Sequence, residues 1–164
     1  MIDEKEFFCD CIRQHEKSMY SLAVGILKNE EDAADIMQES ILKAYCNLDS
    51  LRDTKKFKSW ILSIVHHTAI EFLRRRPTTV DIDEQWDLSM PDPETDTATK
   101  LTVWDAVQQL KLPYRTVVFL FYYDNLSVQK ISEITSVPTA TVRQQLSRAR
   151  KMLKGLLKKE DFTV

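Results

Sequence analysis

Ser127–Met152 reads S-V-Q-K-I-S-E-I-T-S-V-P-T-A-T-V-R-Q-Q-L-S-R-A-R-K-M, two helical patterns joined by a tight Ser136-Val137-Pro138 turn. In the second pattern Val142, Leu146, Ala149 and Leu153 recur at i, i+4, i+7 and i+11, the spacing of a buried helical stripe. At 100° per residue, Gln144, Ser147, Arg148 and Lys151 project from the opposite side. A short helix, a sharp turn and a helix with an apolar back and an amide-and-guanidinium front is the helix-turn-helix plan. The stretch points to a chain that reads DNA.

A net charge of −2 argues against that reading until it is divided along the chain. Residues 1–76 hold 12 Lys/Arg against 13 Asp/Glu, residues 77–108 hold 1 against 8, and residues 109–164 hold 10 against 4. A basic C-terminal part is thus joined through an acidic connector to a near-neutral N-terminal part. The remaining composition is helical in character. There are two glycines in 164 residues, 43% apolar content, no period-2 alternation and long 3.6-residue periods. No run of 18 apolar residues suggests a membrane span, and the acidic N-terminus lacks the apolar core of a signal peptide. A soluble, cytoplasmic protein is expected. Cys9, Cys11 and Cys46 form no Cys-x-x-Cys pair and are expected as free, partly buried thiols.

The first helix is predicted from an Asp3 cap to about Leu27, with Phe8, Cys11, Ile12, His15, Met19, Leu22, Ala23 and Ile26 on its stripe. Asn29 caps a second helix that runs to about Leu48, its first turn carrying Glu30, Glu31 and Asp32, the sign a helix N-terminus favours. After the 49–54 loop, a third helix places Phe57, Trp60, Ile61, Ile64, Thr68 and Phe72 on one face and ends in Arg74-Arg75-Arg76 before Pro77. From Thr78 to Thr99 the chain has seven acids, no base, Pro91 and Pro93, which reads as a flexible linker. Such a linker, at most about 70 Å long, lets two modules sit on separate sites of one duplex. The second domain follows, with Leu101, Trp104, Val107 and Leu110 on one helix and Leu112-Pro113 opening another through Phe121. The expected fold is all-α: two small helical domains, 1–76 and 100–164, joined by the acidic linker 77–99.

Four segments then resemble one family, in its order and over nearly the whole chain. Asp35-Ile36-Met37-Gln38-Glu39-Ser40-Ile41-Leu42-Lys43-Ala44-Tyr45 is similar to the D-x-V-Q-E-x-F-x-K-A-Y segment of extracytoplasmic-function (ECF) sigma factors, a subfamily of the sigma-70 factors of bacterial RNA polymerase. Trp60 through Arg75 resembles their W-L-x-x-I-A-x-N-x-x-x-D-x-L-R-R signature. Pro91-Asp92-Pro93-Glu94 is similar to their P-x-P-E mark, and Leu110 through Arg150 to their C-terminal L-P…L-x-R-A-R pattern. The resemblance implies a region 2-like domain that binds the polymerase clamp and melts the −10 element. It also implies a region 4-like domain that reads −35 and touches the flap. An anti-sigma protein, often membrane-anchored, commonly holds such factors inactive, and a stress response is the implied setting.

By this resemblance Asp35, Gln38 and Glu39, at i, i+3 and i+4 on one helical side, meet the clamp, where carboxylates suit capture of arginines. The 51–56 loop corresponds to the −10 specificity loop, with Arg52, Lys55, Lys56 and Lys58 as cations and His67, Arg74 and Arg75 on the following helix. The −35 set is Lys130, Thr139, Thr141, Arg143, Gln144, Gln145, Arg148 and Lys151, in which Arg suits guanine and Gln adenine. Thr139 or its neighbour would cap the recognition helix. Several positions depart from the family pattern. His67 stands for Asn, Glu71 for Asp, Gln144 and Gln145 for Ser and Arg, Lys130 for Glu, Ser132 for Ala, and Ser136 for the turn Gly. No nucleophile–base pair or phosphate loop is present, and adjacent His66 and His67 point about 100° apart, so neither an enzyme nor a metal or cofactor site is expected. A stand-alone helix-turn-helix regulator is the alternative, and a polymerase-docking scaffold that binds no DNA is a third reading.

Overall fold

The structure, a computed structural model, describes residues 3–76 and 102–161, with side chains to 157. The expected linker 77–99 and Leu101 lie outside the described residues. Helix α1 spans Glu4–Leu27, α2 Glu30–Cys46 and α3 Phe57–Arg75. Helix α4 spans Val103–Gln109, α5 Tyr114–Val118, α6 Val128–Thr135 and α7 Thr139–Asp161. Single 3₁₀ turns at Leu48–Ser50 and Thr54–Lys56 lead into α3, and α5 continues as a π-helical turn over Phe119–Tyr123.

Local chemistry explains where these helices begin and end. Asp3 caps α1 by accepting from the Lys5 N–H, and α1 closes on Lys28, whose left-handed backbone (φ 56°) lets its N–H reach the Val24 carbonyl. Asn29 caps α2 one residue later through the Asp32 N–H at 3.0 Å, so α1 and α2 form a tight antiparallel pair. Thr102 and Asp105 make a reciprocal capping box on α4. Ser127 caps α6, which closes on Ser136 with φ 61°. The Val142 N–H bonds to the Pro138 carbonyl at 3.0 Å, so Thr139 is the first residue of α7 and the preceding Pro138 supplies the capping carbonyl.

Helices α1, α2 and α3 pack on one another around Met19, Leu22, Ala23, Ile36, Ile61 and Leu62, all nearly inaccessible to water. The buried sector of α3 is wider than its predicted stripe. Val65, Ala69 and Leu73 are buried, and Phe72 is only half-buried. The reason is tertiary: α3 contacts α1 and α2 and also α6 of the second domain. A stripe counted for one packing partner underestimates a helix that has three.

The second domain folds α4–α7 into a helix-turn-helix unit with its own small core of Val107, Leu110, Val118 and Ala149. A second apolar cluster does not respect the domain boundary. It runs from Phe8 and Leu22 through Ile61 and Leu73 to Leu120, Ile131 and Leu146. The two expected modules are therefore docked on each other, with α5 against α1 and α6 against α3. The thiols differ from expectation as well. All three cysteines are free, but Cys9 and Cys46 are exposed and only Cys11 is half-buried, because they fall outside the packed sector of α1 and α2.

Candidate nucleic-acid interface and polymerase-docking face

On α2, the residues that pack inward (Ala33, Ile36, Ser40, Ala44) leave Asp35, Gln38 and Glu39 exposed together on the outer side. One turn beyond them on the same side stands Leu42, 67% exposed, with Tyr45 a further turn along. An exposed leucine that continues a stripe of two carboxylates and an amide has the mixed apolar and polar character of a protein-binding patch. Periodicity alone could have found Leu42, since it lies one turn beyond Gln38 and Glu39. Glu39 pairs with Lys43 at 3.4 Å, and Lys43 reaches Glu71 of α3 at 3.6 Å, which ties the patch to the neighbouring helix.

Beside this patch a shallow cavity of about 300 Å³ opens between the 47–50 turn and α3. Trp60, Ser63, His67, Thr68 and Glu71 form the α3 wall, and Asn47, Ser50 and Lys43 the other. Trp60 is half-buried and its Nε1–H donates to the Ser50 hydroxyl at 3.1 Å, which sets the indole as a rigid wall. His67 Nδ1 lies 2.7 Å from the Ser63 carbonyl oxygen, an acceptor only, so Nδ1 carries the ring proton and Nε2 is left to accept. That acceptor faces the Ser136 hydroxyl of the second domain at 3.2 Å.

The cations predicted for −10 contact fall into two groups. Arg52, Lys55, Lys56 and Arg74 are exposed at the loop and the end of α3, and Arg75, also exposed, pairs with Glu71 at 2.5 Å. Lys58 is turned inward, its side chain 34% exposed and its ammonium 3.7 Å from Asp124 of the second domain. Asp124 is in turn almost covered and accepts from the Ser18 hydroxyl at 2.7 Å. Arg76 pairs with Asp32 and lies over the Phe72 ring at 4.9 Å, which anchors the end of α3 to the start of α2.

On the helix-turn-helix, Arg143, Gln144, Ser147, Arg148 and Lys151 stand exposed along one side of α7, with Lys130 exposed on α6. Thr139 and Thr141 are half-exposed in the first turn. Gln145 does not join that face. It is half-buried, its Oε1 is covered without a protein partner, and it lines an interdomain cavity of about 260 Å³ with His66 and Arg74. His66 there is held neutral: burial, then the neighbouring His67 and Arg74, lower its pKa from 6.5 to about 4. Two residues that the sequence reading passed over also stand out. Arg150 donates to the Tyr122 hydroxyl at 2.6 Å and lies over the Phe121 ring at 5.5 Å. Arg115 is 2% exposed, and its guanidinium donates to the carbonyls of Gly25 and Ile26 at the end of α1 and to that of Leu110. No sequence period marks a partner 90 residues away.

Comparison with known proteins agrees with this geometry. The family model for sigma-70 region 2 matches residues 11–78, and that for sigma-70 region 4 matches residues 100–153. The chain is 33% identical over 159 residues to the RNA polymerase sigma factor SigV of Bacillus subtilis (strain 168), covering 97% of this chain and 96% of that one. It is 31% identical to the ECF sigma factor SigW of the same organism, covering 94% and 91%. Its fold is similar to that of the sigma factor RpoE bound to the anti-sigma factor NepR from Bartonella quintana, with a TM-score of 0.73, 19% identity and coverage of 92% and 96%. Two sigma regions in family order on one chain, with relatives matched almost end to end, show that it belongs to the ECF subfamily of sigma-70 factors: it is an RNA polymerase sigma factor and not an enzyme.

Proposed function

We propose that this sigma factor docks core RNA polymerase through the outer face of α2, with Leu42 as the apolar anchor and Asp35, Gln38 and Glu39 as its polar rim. The observation that carries this reading is the 67% exposure of Leu42 between charged neighbours, on a helix whose other apolar side chains are largely packed inward. Clamp arginines would supply the complementary charge. The domains act as residues 1–76 and 100–164, joined by the acidic segment 77–99, whose charge suits a positively charged polymerase channel.

The cavity between the 47–50 turn and α3 is the site we assign to a flipped −10 base, with Trp60 as a wall and His67 as the edge reader. Arg52, Lys55, Lys56, Lys58, Arg74 and Arg75 supply cations for the flanking phosphates. On α6 and α7, Lys130, Thr139, Thr141, Arg143, Gln144, Arg148 and Lys151 face −35 DNA, and the region 4-like domain also meets the polymerase flap. Gln145 would join them only once the domains part. An anti-sigma partner is the expected regulator, one solved structure of similar fold being a sigma factor in complex with an anti-sigma factor. Among the described residues no helix is long and apolar enough to cross a membrane. We place the factor in the cytoplasm, with any membrane tether supplied by that partner, and in a stress response.

Gel filtration of the purified chain with bacterial core RNA polymerase, followed by run-off transcription from the promoter upstream of its own gene, tests the proposal. Co-elution and a defined transcript are expected. Leu42→Asp places a charge at the exposed apolar position of the patch without touching a packed residue, and it should weaken core binding at least tenfold while leaving the thermal melt unchanged. Unaltered co-elution of that variant would remove α2 from the polymerase interface.

A further inference from the structure

Helix α7 packs on its neighbours through the apolar stripe of Val142, Leu146 and Ala149. Apolar packing holds a helix in place but is not directional, so it fixes the roll of the helix about its own axis less sharply than a hydrogen bond does. Reading base edges depends on that roll. At a side-chain radius of about 5 Å, a roll of about 10° moves a tip by about 1 Å, enough to spoil a bidentate contact.

Two directional contacts bracket the DNA-facing stretch of α7. At its start the Ser132 hydroxyl of α6 donates to the Val137 carbonyl, two residues before Thr139 opens α7. At the far end Arg150 donates from Nε to the Tyr122 hydroxyl at 2.6 Å, and its guanidinium lies 5.5 Å from the Phe121 ring centre and 5.8 Å from that of Tyr122. The two rings brace each other edge to face at 4.9 Å. Both belong to the π-helical turn Phe119–Tyr123 that ends α5, a departure from α geometry of a kind that recurs at functional positions. Arg150 does not share the side of α7 that carries the amides. It lies about 160° round the helix from Arg148 and about 120° from Gln144.

We propose that Arg150 and Tyr122 form a positioning clasp that sets the roll of the recognition helix, so that this arginine serves −35 reading without touching DNA. The proposal rests on the −35 reading of α7. The competing role is phosphate contact, and the two roles make different demands on the side chain. A clasp needs the planar guanidinium, which donates from Nε while lying over a ring, whereas a phosphate contact needs only a cation.

The test uses holoenzyme assembled from the full chain and core polymerase, on the promoter fragment upstream of its own gene, with binding followed across salt concentrations. Removing two DNA-facing cations in Arg148→Ala with Lys151→Ala should lower the slope of log K against log salt by roughly two. Arg150→Lys keeps the charge, and it should still weaken promoter binding about fivefold with the slope unchanged. In run-off transcription it should raise the holoenzyme concentration for half-maximal rate and leave the plateau where it was. Tyr122→Phe keeps the ring and removes only the acceptor. It should act in the same direction, and combined with Arg150→Lys it should cost no more than Arg150→Lys alone. On a fragment with a scrambled −35 element both variants should bind as the wild type does, whereas a general loss of fold would lower binding to both fragments alike. Wild-type affinity for Arg150→Lys, or equal losses on the two fragments, overturns the clasp. So does a slope lowered by about one in Arg150→Ala, which would make Arg150 a phosphate contact. An unchanged slope in the Arg148→Ala, Lys151→Ala variant would remove the −35 reading of α7, and the clasp with it.

Discussion

The core of the first domain and the seam between the domains are both buried, yet they are built from different chemistry. Around Ile61 the α1–α3 core is mostly apolar, with Ser40 and Thr68 its buried hydroxyls, whereas along the seam the apolar cluster that continues through Leu73, Leu120 and Ile131 is joined by a guanidinium, a carboxylate, an imidazole, an amide and a hydroxyl. Aliphatic burial gains with every square ångström removed from water and carries no pairing requirement. Polar burial gains little net unless every group is paired, and it is lost readily when partners separate. The first arrangement suits a surface that is never opened. The second suits a surface held by specific pairs.

The sharpest way to break the comparison is to cut into each side. Ile61→Ala leaves a void among side chains that cannot collapse into it, and should cost about 3–4 kcal/mol of unfolding free energy, read from urea titration. A polar seam residue such as Asp124 or Ser136 should not reach that value through lost packing alone.

Acid acts next, and at the seam it acts through His66. His66 is held neutral in the folded chain, with its pKa lowered to about 4 by burial and by His67 and Arg74, while the unfolded chain binds the proton near 6.5. Among the described residues no carboxylate lines the cavity to favour the protonated ring. Stability is therefore fully present above pH 6.5 and declines as pH falls toward 4, by about 2 kcal/mol between pH 7 and pH 5. Urea midpoints at the two pH values give the slope, and His66→Gln should flatten this part of it. An unchanged slope in that variant would move the acid sensitivity elsewhere.

The smallest effect separates strain from contact at one residue. Ser136→Gly and Ser136→Ala both lose the hydroxyl that faces His67, but only glycine accepts φ 61° without strain. Glycine should therefore be more stable than alanine by about 1 kcal/mol in thermal unfolding, while both loosen the seam equally. If the two variants melt alike, the left-handed turn stores no strain.

Much of the site was legible from residues alone because it is local. Asn29, Ser127 and the left-handed Ser136 mark helix ends by short-range hydrogen bonds, and the α7 stripe of Val142, Leu146 and Ala149 predicted which residues face outward. Gln144 and Arg148 followed from it. Gln145 did not, since its position is half-covered by a helix from the other domain. Lys58 read as a free cation for the same reason, and the buried sector of α3 was drawn too narrow.

Sequence by itself determined that the chain is helical, that it carries a helix-turn-helix after an acidic connector, and which sides of α2 and α7 are polar. Each of these depends on periods of a few residues and on caps one to four residues away. Tertiary structure alone decided that Arg115 would complete the end of α1, that Asp124 would meet Lys58, and that Ser136 would reach His67. Those pairings are set by how two packed surfaces come together, and a charge or hydroxyl carries no mark in the chain of the distant partner that burial will give it.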